Sequence, residues 1–293
     1  MKKLLLTFLG FVVVIWATIF FFIPAFSGKI TVSPGFETAG ITIHYYGILM
    51  AVAILAAFIV AAKLAPRYGL SALHVEGGLP RMIIFGFLGA RIYFVVFAWQ
   101  YFGSHLGDIP QIWKGGFSIY GAIIGAAIGL VLYARKNSLP AGKLFDLAAL
   151  AAPLAQAIGR FGNFFNQEAF GYPTGMPWKL YISPANRPKE YLTERYFHPT
   201  FLYEAIWNIL VFAILLWLFR KRSQDASGGS QSGQMLGAYL ILYSIGRFFI
   251  EGIRLDSFMV GSIRADQATA LLMCALGLGI IIYYAYDRQK QDS

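Results

Sequence analysis

Charge and cysteine are what this chain has least of. Only 13% of its 293 residues are charged, and Asp plus Glu number 14 against 24 Lys plus Arg. So few charges cannot coat a soluble domain of this size. With 58% hydrophobic residues, the composition points instead to a polytopic membrane protein. The one cysteine, Cys274, excludes an intrachain disulfide. Inside the apolar run Ala268–Tyr286 it reads as a buried, inert thiol, because a nucleophile needs an accessible, electropositive setting. Four scattered histidines offer no metal-ligand spacing, so neither a metal nor another cofactor is expected. The short alternating segments of a membrane β-barrel are missing too. Lipid forces each segment to satisfy its own backbone, and the expected fold is therefore an all-α membrane helical bundle. A net charge of +10 is also what nucleic-acid binders carry, but here the basic residues are scattered through loops between apolar runs. They fit membrane orientation better, and no nucleic-acid partner is expected.

Runs near the roughly 20 residues needed to span a bilayer are Leu4–Ile23, Ile43–Ala62, Leu79–Ala98, Phe117–Tyr133, Leu144–Gly159, Phe201–Phe219, Met235–Ile253 and Ala268–Tyr286. These predict eight helices in a single transmembrane domain over residues 1–293. Leu144–Gly159 is short and should extend into its neighbours. Met1-Lys2-Lys3 before an apolar run, with Ala25-Phe26-Ser27 beyond it, loosely resembles a secretory leader. Leu4–Ile23 exceeds the roughly 7–15-residue core of such leaders, which favours an uncleaved, extra N-terminal helix. Basic residues at Lys2 and Lys3, Lys63 and Arg67, Arg135, Lys136 and Lys143, Arg220 to Arg222, and Arg288 and Lys290 alternate onto one side. That places both termini in the cytoplasm. Ser223–Gly233, rich in Ser, Gly and Gln, reads as a flexible linker. The segment Gln167–His198 carries Pro173, Pro177, Pro184 and Pro188, so it should form a small extracytoplasmic cap without a long helix. Gly121, Gly125 and Gly129 recur every fourth residue, a spacing that lets helices approach closely.

Ionisable groups in such spans are costly and mark function. Gly159-Arg160-Phe161-Gly162-Asn163-Phe164-Phe165-Asn166-Gln167-Glu168 is the densest polar stretch, and Arg247-Phe248-Phe249-Ile250-Glu251-Gly252-Ile253-Arg254 closes another span. Continuous helix would put Arg247, Glu251 and Arg254 on one stripe. That pattern fits either an internal Arg247–Glu251 pair or a pair of guanidinium forks, with Arg160, suited to phosphate oxygens. Arg91 fits an electrostatic role or a structural pair with a carboxylate, and Arg81 snorkels to the surface. His44-Tyr45-Tyr46-Gly47, Trp113 to Gly121 and His198-Pro199-Thr200-Phe201-Leu202-Tyr203-Glu204 open helices on the expected outer face. There His198 or Thr200 would serve as a helix cap.

Together these motifs resemble the bacterial prolipoprotein diacylglyceryl transferases, in order from about residue 41 to Gln267. The resemblance implies an enzyme of the bacterial cytoplasmic membrane with its site toward the outer face. Such an enzyme moves the diacylglyceryl group of phosphatidylglycerol onto the lipobox cysteine of a preprolipoprotein and its signal peptide, leaving a thioether and glycerol phosphate. It implies phospholipid binding and catalysis by Arg160 and Arg247, a requirement for Tyr46, Asn163 and Gly171, and a place in the site for Glu168, Glu251 and Arg254. Asn166, His44 and Arg91 complete the expected lipid-binding set. The chain departs from the family pattern at Tyr120, where histidine is common, and at Phe201, where glutamine is. Tyr120 is therefore expected to act by hydrogen bonding and not as a base. A lipid transporter or scramblase, or a structural protein with paired arginines, is the competing reading. The first would favour inverted repeats and broken helices, which the sequence lacks.

Overall fold

The computed structural model describes residues 16–222, 232–261 and 263–292. Most of the expected span Leu4–Ile23, and most of the Ser223–Gly233 linker, lie outside the described residues. The helices are α1 (Thr18–Ser27), α2 (Tyr45–Leu64), α3 (Ala72–Phe97), α4 (Ile119–Lys136), α5 (Ala141–Asn166), α6 (Thr200–Arg222), α7 (Gln234–Glu251) and α8 (Ala265–Asp292). Among the described residues, six are long and apolar enough to cross a membrane: α2, α3, α4, α5, α6 and α8. Arg247 and Glu251 make α7 less apolar than these. Leu144–Gly159 is indeed the middle of a longer helix, α5. On α3, Ile83, Ile84, Phe87, Leu88, Ile92 and Val96 are all exposed, a continuous apolar face that suits lipid and that water would penalise.

Among the described residues, three small antiparallel strand pairs join the helices. β1 (Gly35–Thr38) pairs with β2 (Ile41–His44), β3 (Leu180–Tyr181) with β4 (Tyr196–Phe197), and β5 (Met259–Val260) with β6 (Ile263–Arg264). The first turns through Ala39 and Gly40, both at positive φ, as tight hairpins require.

The chain divides into two compact units. One gathers residues 1–54, 153–213 and 240–276; the other gathers 55–152, 214–239 and 277–293. In the second, the glycine stripe of α4 lies directly on α3. A Cβ on Gly125 would sit 2.1 Å from the Phe85 carbonyl oxygen, and one on Gly121 2.3 Å from that of Gly89. No other residue fits that approach. Asp146, fully buried on α5, accepts the Tyr68 hydroxyl at 3.2 Å and the Leu236 amide at 2.8 Å, holding the start of α7. In the first unit, an aromatic core of Phe164, Phe170, Phe197 and Phe201 is flanked by Phe21, Phe22 and Phe26 of α1. Cys274 is half-buried, not fully buried as its apolar setting predicts, because α8 turns part of that face outward.

Candidate functional site

In the first unit the apolar environment concentrates the charges instead of excluding them. Glu204, on the first turns of α6, is almost completely buried, and three guanidiniums share its carboxylate. Arg160 Nη2, near the end of α5, lies 2.5 Å from Glu204 Oε2. Arg247 Nη1 on α7 and Arg254 Nη1 each lie 3.2 Å from Oε1. Arg247 Nη2 also meets Glu251 Oε2 at 2.8 Å and Asp266 on α8. Arg254 grips Asp256 with Nε at 2.9 Å and Nη2 at 2.7 Å. Burial opposes the Arg254 charge, but the Asp256 bonds and the Glu204 charge outweigh it and hold its pKa above the ordinary arginine value. Arg264 donates to the backbone oxygens of Glu251 and Arg254, at 2.6 and 2.7 Å.

The arginines differ in what they have left over. Arg247 divides its donors among Glu204, Glu251 and Asp266, and Arg254 among Glu204, Glu251 and Asp256. Arg160 engages the cluster through Nη2, and its side chain is the most exposed of the three at 21%. It retains donor N–H groups for a ligand. Glu251 Oε1 is buried with no hydrogen-bond partner among the described residues.

The stripe expected for Arg247, Glu251 and Arg254 is corrected in one respect. α7 stops at Glu251, and tight turns (Gly252 N to Phe249 O, Ile253 N to Ile250 O, Arg254 N to Glu251 O) swing Arg254 off the helix. There it pairs with Gly171 in an isolated β-bridge. This explains Gly171, where a Cβ would stand 2.6 Å from the Ile253 carbonyl oxygen and 3.0 Å from His198 Cβ. Its place is one of close packing that seats Arg254.

At the end of α5 the chain is pinned by its own amides. Asn163 and Asn166 both donate to Glu168 Oε1, at 2.9 and 3.1 Å. Gln167 and Ala169 adopt positive φ of 51° and 54°, a strain of about 1–2 kcal/mol each for non-glycine residues. Gln167 offsets it by accepting the Ser183 amide at 2.8 Å and hydroxyl at 2.7 Å through its buried side chain. The Tyr46 ring lies against Gly162, where a Cβ would approach it to 2.4 Å. His44 ends β2 one residue before α2. Thr200 does not cap α6; its hydroxyl donates to the Ala169 carbonyl, and His198 Nδ1 lies 3.0 Å from the Tyr203 hydroxyl.

Arg91 and Tyr120 belong to the second unit. Of the two readings of Arg91, the structural pair with a carboxylate is not formed; its partners are carbonyls: Asp108 O at 2.8 Å, Ile109 O at 3.0 Å, Gly115 O at 2.6 Å and Gly116 O at 3.0 Å. It organises the loop that leads into α4. Tyr120 lies on the first turn of α4, its ring 6.3 Å from that of Tyr93. In the same loop, the Tyr101 hydroxyl donates to Asp108 at 2.6 Å and Lys114 pairs with it at 3.3 Å. These bonds lower the Asp108 pKa below the ordinary carboxylate value.

Asp256, Arg264 and Asp266 are members of the cluster that the sequence did not single out, and Glu204 stood in one of the motifs without a role. Glu204 was the findable one: a lone glutamate at the head of an apolar span carries the same cost signal as the arginines.

The model of the prolipoprotein diacylglyceryl transferase family matches residues 35–283. The chain is 41% identical over 264 residues to a phosphatidylglycerol–prolipoprotein diacylglyceryl transferase of Synechococcus elongatus, covering 89% of this chain and 91% of that protein. To a protein of the same name from Fervidobacterium nodosum it is 38% identical over 294 residues, covering 100% of this chain and 99% of the other.

Proposed function

The chain belongs to the prolipoprotein diacylglyceryl transferase family, and from that premise we propose how its charge cluster serves the reaction. It is an enzyme that transfers the diacylglyceryl group of phosphatidylglycerol to prolipoproteins. The acceptor is the lipobox cysteine thiol beside the signal peptide. Sulfur attacks the glycerol carbon that bears the phosphate ester. The C–S bond forms as the C–O bond breaks, and the electron pair departs with the oxygen of glycerol phosphate. The thiol proton leaves with the phosphate monoester and near neutrality passes mostly to solvent, because the monoester's second pKa is about 6.

Negative charge grows on the phosphate as the ester breaks, so donors aimed there favour the transition state over the ground state. The observation that carries this reading is Glu204 buried among three arginines, of which Arg160 keeps donors to spare. Arg160 is the phosphate arm. Arg247 and Arg254 hold Glu204 in place and take up charge as the phosphate leaves. Glu251 completes the pairing of Arg247. Asn163, Asn166 and Glu168 fix the end of α5 that carries Arg160, Tyr46 packs against that end, and Gly171 seats Arg254. His44 borders the lipid-binding mouth. Tyr120 acts by hydrogen bonding and not as a base, since a phenol with an ordinary pKa of about 10 is a poor base near neutrality. The distribution of Lys and Arg supports a multi-pass protein of the bacterial cytoplasmic membrane, with cytoplasmic termini and the site toward the outer face.

The test is to incubate purified protein with phosphatidylglycerol and a lipobox peptide. Lipidated peptide and glycerol phosphate should appear in equal amounts. Lipid movement or hydrolysis without modified peptide would sink the proposal.

A further inference from the structure

The family match begins at residue 35, so α1 lies before it. Yet α1 is packed into the core beside the charge cluster. The Phe22 ring centroid lies 5.9 Å from Phe161 and 5.5 Å from Phe164; that of Phe26 lies 6.0 Å from Phe164 and 6.1 Å from Phe201. Phe21 meets Phe164 at 6.1 Å and stacks on Phe165 at 6.0 Å. These partners sit next to the functional groups in sequence. Phe161 follows Arg160, Phe164 follows Asn163, and Phe201 precedes Glu204 by one helical turn. Phe161 and Phe164 also contact Phe201 directly, at 5.9 and 5.2 Å. One aromatic cluster therefore joins the end of α5 to the start of α6, the same two elements that the Arg160–Glu204 pair bridges. α1 closes one side of it, and Ala25, Phe164 and Phe201 are each only 1% exposed. The far end of α1 is fastened as well. Gly28, at φ +75°, admits the Tyr181 ring where a Cβ would stand 2.7 Å away, and the Tyr196 hydroxyl donates to Ser27 O at 3.3 Å.

We propose that α1 is a permanent positioning element of the site, setting the Arg160–Glu204 geometry through Phe22 and Phe26, and not a removable leader. Cleavage after Ser27 would take Phe21, Phe22 and Phe26 out of the aromatic cluster. The catalytic half of this proposal rests on the function proposed above; the packing half does not.

The test uses the full chain with Phe22→Ala and Phe26→Ala, and Phe22→Leu and Phe26→Leu as conservative partners. Misplacing a guanidinium by about an ångström should lower kcat by about ten- to hundredfold per folded molecule, with KM for phosphatidylglycerol little changed and the leucine variants recovering most activity. A helix that only anchors the chain would leave kcat per folded molecule unchanged in both alanine variants, which overturns the proposal. Hydrogen exchange of α1 amides, with N-terminal sequencing of protein recovered from membranes, reads the packing without any activity. Protected amides with residues 16–27 retained are expected; a mature chain beginning after Ser27 overturns it. If the wild type lipidates no peptide, the proposed function falls and the exchange result still decides the packing.

Discussion

Arg91 is buried and Arg247 largely so, both on apolar helices, but their surroundings differ in kind. Around Arg91 four backbone carbonyls fill the guanidinium, and no carboxylate is among its partners. Around Arg247 the partners are three carboxylates, one of which is shared with two further arginines. Carbonyl dipoles satisfy hydrogen bonds and leave the charge fixed, which suits a loop staple. Shared carboxylates bring three guanidinium forks onto Glu204, and of these Arg160 is the most exposed. Burial alone thus does not tell the two arginines apart; the identity of their partners does.

Breaking the cluster should give the largest effect. Glu204→Gln leaves three guanidiniums without their common partner, and breaking a buried pair of this kind costs about 3–5 kcal/mol. Thermal unfolding in detergent should fall accordingly, with transfer abolished. A variant as stable as the wild type would erase the contrast between the two regions.

Arg160→Lys comes next. It keeps the charge but replaces the planar fork with a point charge. A loss of about 10²–10³-fold in lipidation rate is expected, with little change in unfolding temperature because Arg160 lends the cluster one donor group. Equal activity at equal protein level would show that Arg160 is not the phosphate arm.

Arg91→Lys sharpens the comparison from the other side. Lysine cannot reach four carbonyls at once, so stability should drop by about 1–3 kcal/mol, the cost of unsatisfied buried groups. KM for phosphatidylglycerol should stay unchanged; a selective rise in KM at normal stability would make Arg91 a lipid ligand.

The smallest effect concerns acid. Asp108 has its pKa lowered chiefly by the Tyr101 hydroxyl and then by Lys114, so its stabilising contribution is present above its unfolded value, about 3.9, and lost as pH falls through the lower folded value. Fluorescence of Trp113 should report a weak loosening of the loop at about pH 4 and below. Tyr101→Phe should move that transition upward; an unshifted transition would remove the Tyr101–Asp108 bond from the account.

Several of these features were legible in the residues. Gly121, Gly125 and Gly129 announced a close helix contact because only a missing Cβ allows one. The prolines between Gln167 and His198 kept a long helix out of that segment. Arg160, Arg247 and Glu251 stood out because charge in an apolar run needs a reason. Other features were not legible. Nothing local tells Arg254 that its helix stops three residues earlier, or Gly171 that Ile253 will press against it.

The sequence by itself determined that this chain is a helical membrane protein of its family, because hydrophobic runs and motif order are properties of contiguous residues. Only the tertiary structure decided which charge meets which. Arg160, Glu204, Arg247, Arg254 and Asp266 come from four separate stretches of chain, and electrostatic partners are chosen by distance in space. The same holds for α1, whose phenylalanines gain their meaning only when α5 and α6 are folded against them.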